Sequence, residues 1–556
     1  MPEPTLHRLP VLGLGLLFAF APGAGLLAEE KPKKPNILII LADDLGWGDL
    51  SLHGNRTIQT PNLDALAASG ARLEHFYACP DGATTTASLL TGRYHYRTGV
   101  SGSTHGESFL PDHETTFAEL LKSDGWATAW IGKWQNGVNW PHRPEAQGFD
   151  HFVGFSGESR ISTWLETEND NHPAPEQTLT RFLFSEARRF IDDSPPPWLC
   201  VLALDEPRHT AIRHPEDVAG VIEEIDQEFG NLLKALRDGN SANNTLIWLL
   251  SDSGPASLPD SQETRYNAFL RGARGSVHEG GVRVPSLVRW PIGIPEGTEF
   301  DRIGSVIDVL PTLVDLARID SSPALLDGMS LAPALRTGGK PRRWPNRILS
   351  TSWTPPGFQV DRASVAVRTD RWVALRDPPW RRGELSDTHS GWELYDLDAD
   401  PFQRFEVAED YPYLLSDLRA DFSRWMDHTT DDGLGNLPTE IGHPEWPVVT
   451  LRPDFVPWKF KPKGGEFSWP LKVVSETAEY RIEIDLDPDA PETKGRFHFF
   501  VGNAEAIVDV LAEETRDLIS VDKFRLEPGD FFLRVDAVND ASAIERIRAI
   551  RIVALE

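Results

Sequence analysis

The chain has 556 residues, enough for one large core and a second domain. Charged residues make up 25% and hydrophobic residues 40%, the balance of an ordinary soluble globular protein. Its 55 Lys and Arg against 84 Asp and Glu leave a net charge of −29, which excludes nucleic acid or an anionic membrane surface as the main partner, since both need a basic face.

Residues 1–28 read as a signal peptide. His7 and Arg8 precede an apolar stretch from Leu9 to Leu27, and Ala28 before Glu29-Glu30 is a cleavage point. Pro22, Gly23 and Gly25 interrupt the run, which favours removal over a retained anchor, so the mature chain is expected to be secreted or periplasmic with no membrane anchor. Asn36 to Ala42 is a wholly apolar strand that runs into Asp43-Asp44. Thr60, Pro61 and Gly70 punctuate a helix, as cap, first turn and end. Ala127 to Ile131 is a second strand, ending in Gly132-Lys133, and Trp198 to Leu204 a third. Cys200 lies inside that third run as a small hydrophobe, and Cys79 is the only other cysteine. Pro215 to Arg237 has apolar residues at helical spacing, and the strand Thr245 to Leu250 runs into Ser251-Asp252-Ser253.

This alternation to about residue 320 predicts an α/β domain with a largely parallel sheet. Ligands of such sheets sit beyond the carboxyl ends of the strands, so polar residues directly after apolar strands carry the chemical reading. Adjacent Asp43 and Asp44 after a buried strand crowd like charges, which a hard divalent cation would relieve; the plainer alternative is solvated strand-end acids. From about residue 440, prolines at 444, 447, 453, 457, 462 and 470 mark a connector. Period-two stretches follow, such as Tyr480 to Leu486 and Phe531 to Asp536, and predict a small β-sandwich.

Lys34-Pro-Asn-Ile-Leu-Ile-Ile-Leu-Ala-Asp-Asp-Leu-Gly-Trp-Gly-Asp49 resembles the opening of sulfatases in the alkaline phosphatase superfamily. The likeness continues through Thr60-Pro-Asn-Leu-Asp64, Ser88-Leu-Leu-Thr-Gly-Arg93, Ile131-Gly-Lys-Trp134 and Leu270-Arg-Gly272. It extends to Glu279-Gly-Gly-Val-Arg-Val-Pro285, Ile307-Asp-Val-Leu-Pro-Thr312 and Glu393-Leu-Tyr-Asp-Leu-Asp-Ala-Asp-Pro401. The resemblance implies a mixed sheet flanked by helices over 34–344 and a smaller C-terminal α+β subdomain over 345–440. A connector over 441–464 and a β-sandwich over 465–556 complete the expected organisation.

The family's nucleophile is a formylglycine hydrate made in a Cys-x-Pro-x-Arg cassette. Counted back from Arg93, the nucleophile position falls on Gly82, the Pro on Thr84 and the Arg on Thr86, so no formylglycine is expected. Cys79 lacks a cassette of its own, because Asp81 and Ala83 stand where Pro and Arg would be needed. The resemblance implies metal ligands Asp43, Asp44, Asp252 and Ser253, the last in place of Asn, around a divalent ion that is usually calcium in the family; Asp81 is a further candidate ligand. It implies substrate-binding charge at Lys133 and at Arg274, which stands where Lys is expected. Gln135 replaces a His, and His209 is either the His of the family's Pro-His pair displaced by one place, and so a possible catalytic residue, or incidental. Binding charge thus survives better than acid–base capacity.

The helix opening near Gly82 still offers N–H groups to an anion, and Thr84 reads either as a helix cap or as a substitute nucleophile. Three functions remain open on these residues. One is a pseudoenzyme that binds sulfated or otherwise anionic carbohydrate. Another is an atypical sulfuric- or phosphoric-ester hydrolase using metal-bound water or Thr84. The last is a structural, partner-binding protein.

Overall fold

Strand β1, Asn36–Asp43, is buried along its whole length, and its alternate side chains enter two different cores. Ile37, Ile39 and Leu41 pack with Leu89, Leu90, Trp130 and Trp134 on one face of the sheet. Leu38, Ile40 and Ala42 pack with Ile222, Ile225, Phe229 and Leu232 of helix Pro215–Asp238 on the other. A strand covered on both faces needs this continuous apolar run, and each such large side chain contributes roughly 1.5–3 kcal/mol by burial.

The structure, a computed structural model, describes residues 34–555 except 103–108, 157–163, 168–170, 174–176, 208–214, 258–264, 321–322, 324, 355–362, 378–390, 431–437, 445, 452–465, 487–494, 511–517 and 539–540. The signal peptide read at 1–28 and His209 lie outside the described residues. Among the described residues no helix is long and apolar enough to cross a membrane.

The main sheet holds β1 with β2 (Ala71–Tyr77), β3 (Ala127–Trp134), β4 (His151–Ser156), β5 (Trp164–Thr167), β6 (Asn171–Pro173), β7 (Trp198–Pro207), β8 (Thr245–Ser251), β9 (Ser286–Arg289) and β10 (Thr298–Ser305). Their order is β10-β2-β9-β8-β1-β7-β3-β4-β5-β6. The central strands β8, β1, β7, β3 and β4 run parallel, while β9, β5 and β6 pair antiparallel with their neighbours, so the sheet is mixed with a parallel centre. Register places Ala42 beside Ser251, Asp43 beside Pro207 and Gly132 beside Ala203. The carboxyl ends of β1, β3, β7 and β8 therefore finish at one level.

Helix α1, Pro61–Ala68, starts where Thr60 and Pro61 predict, but its cap differs. The Thr60 hydroxyl accepts the Ser51 N–H at 3.0 Å, and the first-turn N–H groups of Asn62 and Leu63 donate instead to the Asp226 carboxylate at 3.0 and 2.8 Å. A carboxylate from the neighbouring long helix is the stronger acceptor at a positive helix end.

Strands β11 (Leu349–Trp353), β12 (Ser364–Arg368), β13 (Trp372–Arg376) and β14 (Glu393–Asp396) form an antiparallel sheet. Its Val365, Val367 and Leu394 pack on Leu418 and Phe422 of helix Pro412–Thr430.

The sandwich follows, built from β15 (Thr439–Ile441), β16 (Val448–Leu451), β17 (Glu466–Val473), β18 (Ala478–Leu486), β19 (Gly495–Val501), β20 (Ala504–Val510), β21 (Ile519–Leu526), β22 (Gly529–Ala537) and β23 (Ile547–Leu555). One sheet has the order β15-β17-β22-β19-β20 and the other β16-β23-β18-β21, with Trp469, Phe497, Leu533, Tyr480, Ile484 and Ile550 in the shared core. The stretch read as a connector thus supplies a strand. Pro444 and Pro447 precede β16 rather than interrupt it, which suits a residue without an N–H to give to a ladder. Asn139 from the α/β core brackets Thr450 with two hydrogen bonds, of 2.8 and 2.9 Å, and Arg143 stacks over Trp446.

Candidate metal and anion site

The level strand ends bring together what the sequence holds far apart. Asp43 and Asp44 close β1, Asp252 and Ser253 follow β8, and ligand oxygens of Asp43, Asp44 and Asp252 lie within 4.8 Å of one another. All three acids are buried. Asp44 adopts φ of 64°, in the left-handed region, and its N–H is held by Asp252 Oδ1 at 3.0 Å. The Ser253 hydroxyl donates to Asp44 Oδ1 at 2.7 Å, and Leu45 N–H donates to Ser251 Oγ at 2.9 Å. Burial first, then the charges of Asp43 and Asp44, push the Asp252 carboxyl well above the usual carboxylate range. A buried trio of carboxylates in mutual repulsion is a donor set for a hard divalent cation, so the residues fit the ion that the sequence implies.

Lys133 is the last residue but one of β3 and follows Gly132, whose φ of 109° and contact with the Ala203 carbonyl leave no room for a Cβ. The Lys133 ammonium pairs with Asp43 and lies 3.1 Å from Asp205, with its side chain 1% exposed. Asp205, from β7, is a site residue that the sequence reading passes over. Arg274 Nε lies 3.2 Å from Asp44 Oδ1, and that side chain keeps 19% exposure. Both cationic groups proposed for substrate therefore also hold the carboxylates in place.

Helix α2, Gly82–Thr91, enters the same level and is buried throughout. The Thr85 hydroxyl donates to the Asp252 carbonyl at 2.6 Å, and Asn136 Nδ2 donates to the Ala83 carbonyl at 3.1 Å. Asp81 caps the helix, its Oδ1 accepting from Thr84 N–H at 3.2 Å; it stands apart from the carboxylate trio. The Thr84 hydroxyl donates to the Asp81 carbonyl at 3.0 Å, a turn-closing bond of the capping kind. The Cys79 thiol is pushed up to about 12 by burial, which keeps it protonated. At Gly82 an added Cβ would fall closer than 3.0 Å to Asp252 Oδ2 and to both amide atoms of Gln135. Gln135 Nε2 itself lies 3.4 Å from Asp252 Oδ2. The space of a side chain at 82 is bordered by these two groups.

Residues 35–319 match the family profile described as Sulfatase, more than half of the chain. The chain belongs to the sulfatase family. Residues 273–426 of this sulfatase-family protein also match the profile described as N-sulphoglucosamine sulphohydrolase, C-terminal, which spans the antiparallel subdomain. N-acetylgalactosamine-6-sulfatase of Sus scrofa is 32% identical over 439 residues, covering 69% of this chain and 84% of that protein. Human steryl-sulfatase is 29% identical over 420 residues, covering 57% of this chain and 72% of its own. Among solved structures, that of Ps i-CgsB in complex with k-i-k-neocarrahexaose superposes with a TM-score of 0.63 at 27% identity, covering 72% of this chain and 94% of that one.

Proposed function

We propose that this sulfatase-family protein is exported, binds sulfated or otherwise anionic carbohydrate, and does not hydrolyse sulfate esters by the formylglycine route. The observation that carries the reading is Gly82: it has no side chain to oxidise, and Gln135 and Asp252 border the volume where one would stand. Gln135 and Arg274, in place of the expected His and Lys, cannot move a proton near neutral pH. Asp43, Asp44 and Asp252, with the Ser253 hydroxyl beside them, would hold a divalent cation, by family habit calcium. When bound, that ion supplies the positive charge that attracts and polarises an anionic group.

The chain's own residues then divide the work. Lys133 offsets Asp43 and Asp205, and the partly exposed Arg274 presents its guanidinium edge both to Asp44 and to an incoming anion. Sulfated carbohydrate as the ligand class is supported by the name of the Sus scrofa relative and by the oligosaccharide in the Ps i-CgsB complex. Export is supported by the apolar segment before Ala28.

The test is binding of sulfated oligosaccharides on an array, with calcium and with chelator, beside turnover of p-nitrophenyl sulfate and phosphate. Calcium-dependent retention without ester cleavage is expected. Cleavage that Thr84→Ala stops would replace this reading with an aldehyde-independent hydrolase.

A further inference from the structure

The Gln135 carboxamide is not accounted for by the fold. The residue is 8% exposed, and its Oε1 meets no hydrogen-bond partner among the described residues. A buried amide oxygen left in that state costs about 1–3 kcal/mol, so its position calls for a partner that the described side chains do not supply. Its Nε2 reaches only the far carboxylate oxygen of Asp252, at 3.4 Å. Both ends of the amide border the space above Gly82, together with that same Asp252 oxygen. The carboxamide therefore stands at the edge of the carboxylate trio, in room that only a glycine at 82 leaves open.

We propose that Gln135 is a metal ligand of this chain, its Oε1 completing the site formed by Asp43, Asp44 and Asp252. Side-chain amide oxygens are ordinary ligands of hard cations. A neutral donor is also the one that this site can add at least cost, because a fourth carboxylate would add charge to three buried acids whose oxygens already lie within 4.8 Å of one another. Gly82 and Gln135 then form a pair: loss of the side chain at one position makes room for a ligand from the other.

The inference rests on the divalent-metal reading, and its test separates the two. Chelator-stripped protein is titrated with calcium by calorimetry and with terbium by luminescence, whose decay in H2O and D2O counts the waters on the ion. Gln135→Met, close in size and unable to serve a hard cation, should weaken calcium on the order of tenfold and add one water to terbium. Gln135→Glu should bind calcium more tightly than the parent, and it carries the test if Gln135→Met does not fold. Parent-like affinity and hydration in Gln135→Met, or no tightening in Gln135→Glu, would overturn the assignment while leaving the metal site standing. No binding of either ion by the parent would overturn both.

Discussion

Replacing Gly82 by Ala adds one methyl group, and the structure gives its consequence. In an open helix position, Gly→Ala stabilises by up to about 1 kcal/mol. Here the new Cβ falls inside 3.0 Å of Asp252 Oδ2, Gln135 Nε2 and Gln135 Oε1, in a helix whose ten residues are all buried. Overpacking of that kind costs about 1–3 kcal/mol, so the packing cost exceeds the propensity gain. Two of the three offending atoms belong to the end of the Gln135 side chain. Shortening it by Gln135→Ala should return most of the loss, a coupling of about 1–2 kcal/mol between residues 53 apart in sequence, 82 and 135. The assay is a thermal melt of parent, both single variants and the double variant in chelator, followed by tryptophan fluorescence. Gly82→Ala should melt about 1–2 °C below the parent, and the same change in the Gln135→Ala background should cost much less. An equal drop in both backgrounds, or no drop at all, would refute the claim that Gln135 borders the side-chain space at 82.

Three further outcomes are expected. Calcium at a hundredfold excess over its Kd should stabilise the parent by about 2.7 kcal/mol, and Asp252→Asn should remove the accompanying rise in Tm, checked by melting with and without chelator. Burial, then Glu224 and Asp205, raise the Glu206 carboxyl to about 7 from an ordinary 4.5, so its contribution is fully present below 4.5 and is lost as pH rises through 7. Glu206→Gln should therefore raise Tm at pH 8 and leave it unchanged at pH 4, as read in melts at the two pH values. A fragment of residues 438–556 should melt cooperatively at a higher temperature than one of residues 465–556, because β15 and β16 complete the two sandwich sheets; equal melting temperatures would show that these strands add nothing.

The strand ends were the legible part of the site. An apolar run that is buried on both faces stops abruptly at acids, and both β1 and β8 show that signal on the page of the sequence. Asp205 carries it as well, directly after the apolar run of β7, but the adjoining Pro207-Arg208-His209 draws the chemical reading away from it. What Lys133 touches is not legible, because its partners lie on two other strands that only the sheet order brings near. The pairing of Gly82 with Gln135 has no local period either. It is a packing relation between a helix start and a strand end, and composition at either place says nothing of the other. Thr60 shows the same limit: the sequence marks the right boundary for α1, while the carboxylate that serves the first turn arrives from Asp226. Prolines around 444–470 read as a connector because proline has no N–H to give to a ladder, yet β16 fits between Pro447 and that stretch's later prolines, and Pro470 itself stands in β17 opposite Phe532.

Retained binding and a lost nucleophile can be read in one measurement. The purified full chain is incubated with a sulfated oligosaccharide in calcium, and free sulfate is followed by ion chromatography while bound oligosaccharide is separated by filtration. Calcium-dependent retention of the intact sulfated sugar with no release of sulfate is expected. Sulfate release by the parent that Asp252→Asn abolishes would contradict it.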